Sequence, residues 1–571
     1  MTKIVIDPIT RIEGHLRLEV EIENGKVTQA WSSSTMWRGI ETILKGHDPR
    51  EAWLLAQRIC GVCTTVHALA SVRSVEDALQ IQIPKNARLM RNLISAIQDI
   101  QDHVIHFYHL HALDWVDITS VLNADPTKTA QLAQSISNWP KSSSTYFSDV
   151  KQRIQTFVGS GQLGIFANAY WGHPVYKLPP EVNLMATAHY LEALDWQRDF
   201  IRAQAILGGK NPHPQTYLVG GMARPVNPDQ AASLNADQIA ELLSLFARGK
   251  EFVNQVYLPD VLAIALFYLE WAKLGENCGN FMVYGDFPLV DGAKPDKAGD
   301  LFLPRGIIYN RDLSKVYPVD ETKIGEYVTH SWYSYADEQQ PKHPAQGETT
   351  PNYTGPKAPY DFLDGNSKYS WVKAPRYDGH AMEVGPLARM LVGYASGQPQ
   401  IKQGVDLVLK KLGAGPDVLF STLGRTAARC IETIILADQL EPWMMELVQN
   451  ISKGDLQIHE NTHWDPATWP QDCTGRGLVE APRGALGHWV HIKDRKIENY
   501  QAIVPTTWNA SPRDASNQPG PYETALVGTP VADPAKPLEL LRTIHSFDPC
   551  MACAVHVLDP DHREVTKINV T

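Results

Sequence analysis

Four of the seven cysteines in this 571-residue chain form two Cys-x-x-Cys pairs, Cys60-Gly-Val-Cys63 and Cys550-Met-Ala-Cys553, one near each end. Thiolates are soft ligands, suited to nickel, zinc, copper(I) and iron–sulfur clusters rather than to calcium or magnesium. A Cys-x-x-Cys step lets two sulfurs converge on one ion, and two such steps supply four ligands. A structural zinc site needs the same ligands, although its usual compact ribbon has about 15–20 residues between pairs, not most of a chain. A lone iron–sulfur cluster fits the ligand set as well. A thioredoxin-like dithiol does not, because neither pair accompanies a βαβ pattern. Cys278, Cys430 and Cys473 stand alone and read as packing residues, and the odd total argues against a disulfide framework.

The two ends must meet for such a site to exist, so the elements that carry them matter. Residues 1–50 read as β-rich, with a hairpin over 15–31 around Asn24-Gly25, the strongest short-range turn signal. Residues 51–275 read as a helical body. Glu51 to Gln57 leads into the first pair, and Thr65 to Leu79 continues at helical spacing. The clearest helix spans 86–115, where Met90, Leu93, Ile94, Ile97, Ile100 and Val104 make one apolar stripe. Asp102 falls in a polar break of that stripe and reads by itself as a solvated face. His103, His106, His109 and His111 follow; they read as satisfied buried or interfacial histidines, since His109 and His111 do not share a face. Further helices are expected at 183–207, closed by Gly208-Gly209, at 237–273, and at 384–412 and 416–450. Residues 276–378 read as an irregular α/β insert, 379–452 as helical, and 453–556 as short strands leading to a C-terminal helix from Pro537. The expected class is mainly α with β-rich peripheral segments (α+β): a bundle of long helices with the metal site between the N- and C-terminal parts.

Composition is that of a globular protein with a sizeable core, 43% hydrophobic and 20% charged. A net charge of −11 gives no electrostatic case for nucleic acid or an anionic membrane as main partner. No apolar run is long enough to span a bilayer. Met1 to Asp7 begins like a strand without a signal-peptide core, so export would depend on a partner's signal.

The company the cysteines keep carries a resemblance. Arg58-Ile-Cys60-Gly-Val-Cys63-Thr-Thr-Val-His67 and Asp548-Pro-Cys550-Met-Ala-Cys553-Ala-Val-His556 resemble the two signatures of nickel–iron hydrogenase large subunits. Asp7-Pro-Ile-Thr-Arg-Ile-Glu-Gly-His15, Gly208-Gly-Lys-Asn-Pro-His213, Glu480-Ala-Pro-Arg483-Gly and Gly528-Thr-Pro-Val-Ala-Asp533 are similar to further family segments, so the likeness runs along the whole chain.

That resemblance implies a catalytic unit over 1–556 that oxidises hydrogen reversibly and heterolytically. It implies nickel, and iron carrying carbon monoxide and cyanide, with Cys60 and Cys550 terminal on nickel and Cys63 and Cys553 bridging. Glu13 matches the proton-gate glutamate; by itself it reads as a surface carboxylate on a turn. Pro482 and Arg483 match the segment above the metals, with Asp102 and Asp548 balancing the guanidinium and Thr506 donating to a cyanide. His67 is expected to bond a bridging sulfur. Glu41, the Ala502 carbonyl and His556 resemble the ligands of a second site for magnesium or iron.

The resemblance further implies an iron–sulfur small subunit to receive the electrons, since no other cysteine cluster is present here. Residues 557–571 look like the tail that a maturation endopeptidase removes after nickel-delivery chaperones have acted. The expected location is the periplasmic side of the membrane after co-export with the small subunit, reached through partner subunits, and cytoplasmic while unprocessed. Two other classes stay open on the residues: a structural four-cysteine zinc protein, which needs neither Glu13 nor Arg483, and a non-catalytic quinone-reductase-like core, which lacks the cysteine quartet.

Overall fold

The computed structural model describes residues 2–161, 163–167, 169–356 and 362–554. An antiparallel sheet opens the chain: β1 (Thr2–Ile6), β2 (Leu16–Glu23) and β3 (Lys26–Ser34), in that order. Glu23 pairs with Lys26, so Asn24 and Gly25 form the expected two-residue turn, with φ of 51° and 72°. Both angles lie in the left-handed region that such hairpins require. The apolar face (Leu16, Leu18, Val20, Ile22) packs against Leu540, Leu541, Ile544 and Met551. The N-terminal sheet is thereby seated on the segment that delivers the second cysteine pair.

Helices α1 (Val66–Leu79) and α2 (Lys85–Ile105) follow. The α2 helix is buried on nearly every side, polar residues included, so Asp102 lies in the interior and not on a solvated face. Beyond Ile105 it widens into a π turn at His106–His111 and then a 3-10 turn at Ala112–Asp114, where the sequence suggested one continuous helix. The histidines are satisfied as expected: His103 bonds Glu432 at 2.8 Å, His106 the His545 carbonyl at 2.6 Å, and His109 the Tyr190 carbonyl at 3.2 Å.

Next come α3 (Pro180–Phe200), α4 (Ala236–Phe252), α5 (Leu258–Phe267) and α6 (Thr422–Ser452). The expected helix over 237–273 is interrupted by a π turn at Val253–Tyr257, just before Pro259. The one over 384–412 is two helices, Pro386–Ala395 and Pro399–Leu412, parted at Gly397 with φ 73°. Two helices that periodicity did not single out, Pro126–Ile136 and Ser144–Gly159, pack beside α3. The α6 helix lies along α2 and forms the centre of the bundle. Residues 276–378 are the irregular insert expected, built from two-stranded ladders of three- and four-residue strands.

The region after 453 departs from expectation. Its strands are long: β4 (Asp472–Ala481), β5 (Gly484–Lys493) and β6 (Lys496–Ile503) form one antiparallel sheet. Gly475 and Gly477 do not break β4; they let it lie directly on α1. A Cβ at Gly475 would come within 2.3 Å of the Ser74 carbonyl oxygen, and one at Gly477 within 1.9 Å of that of Ala70. Helix α7 (Leu538–Ser546) and one further helical turn, Met551–Ala554, end the described chain. No helix among the described residues is long and apolar enough to cross a membrane.

A buried ionic knot ties the bundle together. His189 of α3 lies 2.8 and 2.9 Å from the two Asp260 oxygens of α5, and the Tyr108 hydroxyl donates to the same carboxylate at 2.7 Å. Burial works to lower the His189 pKa, but the Asp260 carboxylate outweighs it and raises the value above the ordinary one. A histidine raised in the folded state adds stability that is full below its unfolded pKa, about 6.5, and lost as pH rises through the folded value. Replacing His189 with alanine strands a buried carboxylate, at a cost of about 3–5 kcal/mol. Urea denaturation should show a lowered midpoint for His189→Ala, with a larger gap from wild type at pH 6 than at pH 9. An equal gap at both would rule out the charged pair.

Candidate metal centre

Cys60 stands in extended conformation just after a 3-10 turn, Gln57–Ile59, and its partner Cys63 lies in the turn that enters α1. Cys550 and Cys553 follow α7, after Asp548, whose φ of 60° swings the chain inward. All four sulfurs are buried and lie within 4.8 Å of one another. Cys60 is 3.4 Å and Cys63 3.8 Å from Cys550, while Cys553 is 3.0 Å from Cys63 and 2.7 Å from Cys550.

Backbone joins the ends as well. The Met551 N–H donates to the Glu13 carbonyl at 2.7 Å, and the Glu13 N–H to the Pro549 carbonyl at 3.3 Å. Gly14, at φ 83°, permits this approach: a Cβ there would sit 2.4 Å from the Ala552 nitrogen. Arg38, which sequence reasoning missed, donates to the carbonyls of Ile59 and, at 2.8 Å, Ala552, so one guanidinium staples both cysteine segments. Its only signal is a charged residue in Trp37-Arg38-Gly39 close to Glu41.

Glu13 is positioned by this junction. Its Oε2 accepts from the Ala552 N–H at 2.9 Å and lies 3.3 Å from the Cys550 sulfur. Burial raises its pKa and the Cys60 charge adds to that, against the Cys550 and Ala552 hydrogen bonds and Arg483. It is half-buried, not the surface carboxylate its turn suggested. Arg11 anchors the loop, donating to the Leu110 carbonyl at 2.6 Å and Asp114 at 2.5 Å. Asp114 also meets His545 at 2.7 Å and His111 at 3.2 Å. This His111–Asp114–His545 group has metal-ligand composition, yet its ring nitrogens also bond Thr426, Trp115 and the Thr10 carbonyl, so it is an anchor for the Glu13 loop.

Arg483 occupies the two-residue turn between β4 and β5, where Ala481 pairs with Gly484. It lies 3.3 Å from Asp102 and 3.0 Å from Asp548, and its Nε donates to the Asp548 carbonyl at 3.1 Å. Nη2 is buried and, although near Asp548, is not aligned to donate to it. Burial pushes Asp102 up to about 7, with Arg483 opposing. Pro482 is fixed through its carbonyl, which accepts from Arg389 at 3.0 Å. Thr506 accepts the Cys550 N–H at 3.0 Å, which leaves its own hydroxyl proton to donate elsewhere. A small cavity of about 10 Å³ is lined by Cys63, Cys550, Cys553, His67, Arg483 and Thr506, among others. His67 faces it, but its Nδ1 bonds His488 at 3.0 Å; the expected contact with a sulfur is not among the described hydrogen bonds.

Two of the three residues expected at a second site, Glu41 and Ala502, are in contact. Glu41 is buried and meets Ala502, through the Ala502 N–H at 2.9 Å rather than the carbonyl, and also bonds the Thr349 hydroxyl. Nearby lies buried Lys373, which no sequence signal marked; it donates to Gln501 at 3.0 Å and lies 3.5 Å from Glu326. His556 and the tail lie outside the described residues.

The donor set fits a soft, multivalent centre. Burial pushes Cys63 up to about 11 and raises Cys550 and Cys553 further; Cys60, also opposed by burial, is carried well below an ordinary thiol by its sulfhydryl neighbours and Arg483. Burial thus works against ionising the set, and a cation is needed to hold all four as thiolates. The buried Arg483 Nη2 and the free Thr506 proton add two donors aimed at whatever anionic groups that centre carries.

Known proteins place this geometry. The family profile described as nickel-dependent hydrogenase matches residues 38–556, and a HoxL-like profile matches 3–33. The uptake hydrogenase large subunit of Bradyrhizobium diazoefficiens is 52% identical over 100% of this chain and 97% of its own length. The hydrogenase-1 large chain of Escherichia coli K12 is 48% identical with the same coverage. The solved Ni-Fe-Se hydrogenase of D. vulgaris Hildenborough superposes with a TM-score of 0.77 at 34% identity, over 97% of this chain and 100% of that one. With the sulfur quartet assembled and the likeness sustained from end to end, the chain belongs to the large subunits of the nickel-dependent hydrogenases.

Proposed function

We propose that this chain is the hydrogen-oxidising subunit of an uptake hydrogenase, in which dihydrogen becomes two protons and two electrons. The observation that carries this reading is the meeting of Cys60, Cys63, Cys550 and Cys553 beneath Arg483 and beside Glu13. Nickel would be held by all four sulfurs, and iron with carbon monoxide and cyanide by Cys63 and Cys553; when bound, the pair supplies Lewis acidity and redox capacity.

The chain's own work is to move protons and hold charge. The Cys550 sulfur is the proton acceptor at the site, and Glu13, 3.3 Å away, relays the proton outward. Burial that raises the carboxyl's proton affinity brings it nearer to that of a coordinated thiol. Arg483 keeps a fixed positive charge over the cavity, held by Asp102 and Asp548. Its Nη2 and the Thr506 hydroxyl are suited to donate to cyanide nitrogen.

Electrons must leave through another chain, because the remaining cysteines among the described residues form no cluster. That the relatives are large subunits supports a small-subunit partner, which in this reading carries the iron–sulfur relay. We extend the reading to magnesium or iron at Glu41, Ala502 and His556, to removal of residues 557–571 by a maturation endopeptidase after nickel delivery by chaperones, and to a periplasmic location, associated with the membrane through partner subunits and reached by co-export. Unprocessed chains would stay in the cytoplasm.

Metal analysis of the purified heterodimer should find nickel, with iron in excess of it because the small subunit's clusters contribute, and infrared bands of carbon monoxide and cyanide. Zinc without such bands would establish the structural-site alternative. Glu13→Gln should leave metal content and bands intact while slowing hydrogen oxidation and hydrogen–deuterium exchange about 10²–10⁴-fold, the usual range for a lost proton-transfer group. Unchanged exchange in that variant would remove Glu13 from the proton route.

A further inference from the structure

From the cavity beside the sulfur quartet runs a hydrogen-bonded chain that the proton route does not use. His67 at the start of α1 bonds through Nδ1 to Nε2 of His488 on β5 at 3.0 Å, and Nδ1 of His488 bonds the Tyr500 hydroxyl on β6 at 2.6 Å. All three side chains are buried, His488 completely. The rings are packed as well as bonded, with centroids 5.2 and 5.5 Å apart. His67 lines the cavity with Cys63 and Cys553, so one end of the chain reaches the site.

We propose that His488 and Tyr500 are positioning residues for the thiolate site: the Tyr500 phenol fixes the tautomers of both imidazoles, so that His67 turns an N–H, and not a lone pair, toward the sulfurs.

The argument is one of donor direction. A neutral imidazole has one N–H and one lone pair, so two histidines in series transmit the polarity set at their far end. The N···N hydrogen bond between His67 and His488 needs a lone pair on one ring, so the two buried imidazoles are not both protonated. If Tyr500 donates to His488 Nδ1, the His488 proton sits on Nε2 and donates to His67 Nδ1. The His67 proton then sits on Nε2, the nitrogen left for the cavity. The reverse polarity would set a lone pair against electron-rich sulfur. A phenol is the stronger acid and an imidazole nitrogen the stronger base, so the 2.6 Å contact favours Tyr500 passing its own proton to His488. Strand β6 also sends Gln501 to Lys373 and the Ala502 N–H to Glu41, so successive residues of one strand brace both sites.

This inference rests on the reading of the quartet as a nickel–iron centre with a carbonyl ligand. A hydrogen bond to a bridging sulfur withdraws electron density from it. Without that bond the thiolate donates more strongly to iron, back-donation into carbon monoxide rises, and the carbonyl stretch falls. The test is the infrared spectrum of the purified heterodimer at matched nickel and iron content. Tyr500→Phe removes one oxygen atom and keeps the ring. His488→Gln keeps an amide N–H for His67 and a carbonyl for Tyr500, whereas His488→Leu keeps neither. The carbonyl band should move to lower wavenumber in Tyr500→Phe and His488→Leu and remain at the wild-type position in His488→Gln. If His488→Leu takes up no metal, the comparison of Tyr500→Phe with wild type decides. A band that stays put in Tyr500→Phe, or that moves as far in His488→Gln as in His488→Leu, would overturn the proposal. A wild-type spectrum with no carbonyl band at all would instead overturn the hydrogenase reading on which it stands.

Discussion

Crowding four cysteine sulfurs into a buried space creates a charge problem that neither Cys-x-x-Cys pair can solve alone. Thiols in a dry pocket resist ionisation, and each thiolate formed makes the next harder. The rest of the molecule is arranged so that a cation can balance them: the N-terminal sheet sits on the C-terminal helix, the Glu13 backbone pairs with the Cys550 segment, and Arg38 holds the carbonyls of both pairs. Closure of the two ends and capture of metal are therefore one event, because the ligands exist as a set only when the ends are joined.

The shell around the sulfurs divides into sides with different tasks. On one, Glu13 offers a carboxylate that can take and release a proton. Above, Arg483 is held between two buried aspartates, an arrangement in which the surplus charge stays on the protein and the guanidinium cannot swing away. From the cavity runs the His67–His488–Tyr500 series. Carboxylate, guanidinium and imidazole thus surround the centre at fixed bearings, each anchored by partners that are themselves buried.

Much of this was legible in residue types and spacing. The Asn24-Gly25 turn, the α2 stripe and the irregular 276–378 insert follow from local chemistry, and the family motifs point to the quartet, Glu13 and Arg483. What the sequence hid depends on tertiary contact. Asp102 looked solvated because α2 is buried on its polar face too, and only Arg483, distant in sequence, explains that carboxylate. The long strands β4 and β5 were obscured by Gly475 and Gly477, which serve close packing on α1 and not chain reversal. Arg38, Lys373, His488 and Tyr500 carry no motif, since each acts on a partner that the fold alone brings near.

Nickel K-edge X-ray absorption on the purified heterodimer tests most directly whether sulfur from both ends encloses one metal. The account predicts that sulfur dominates the nickel coordination, and that exchanging either Cys60 or Cys550 for serine reduces the sulfur contribution in whatever nickel remains bound. A nickel environment of nitrogen and oxygen alone, or one indifferent to which end of the chain loses its thiol, would contradict it.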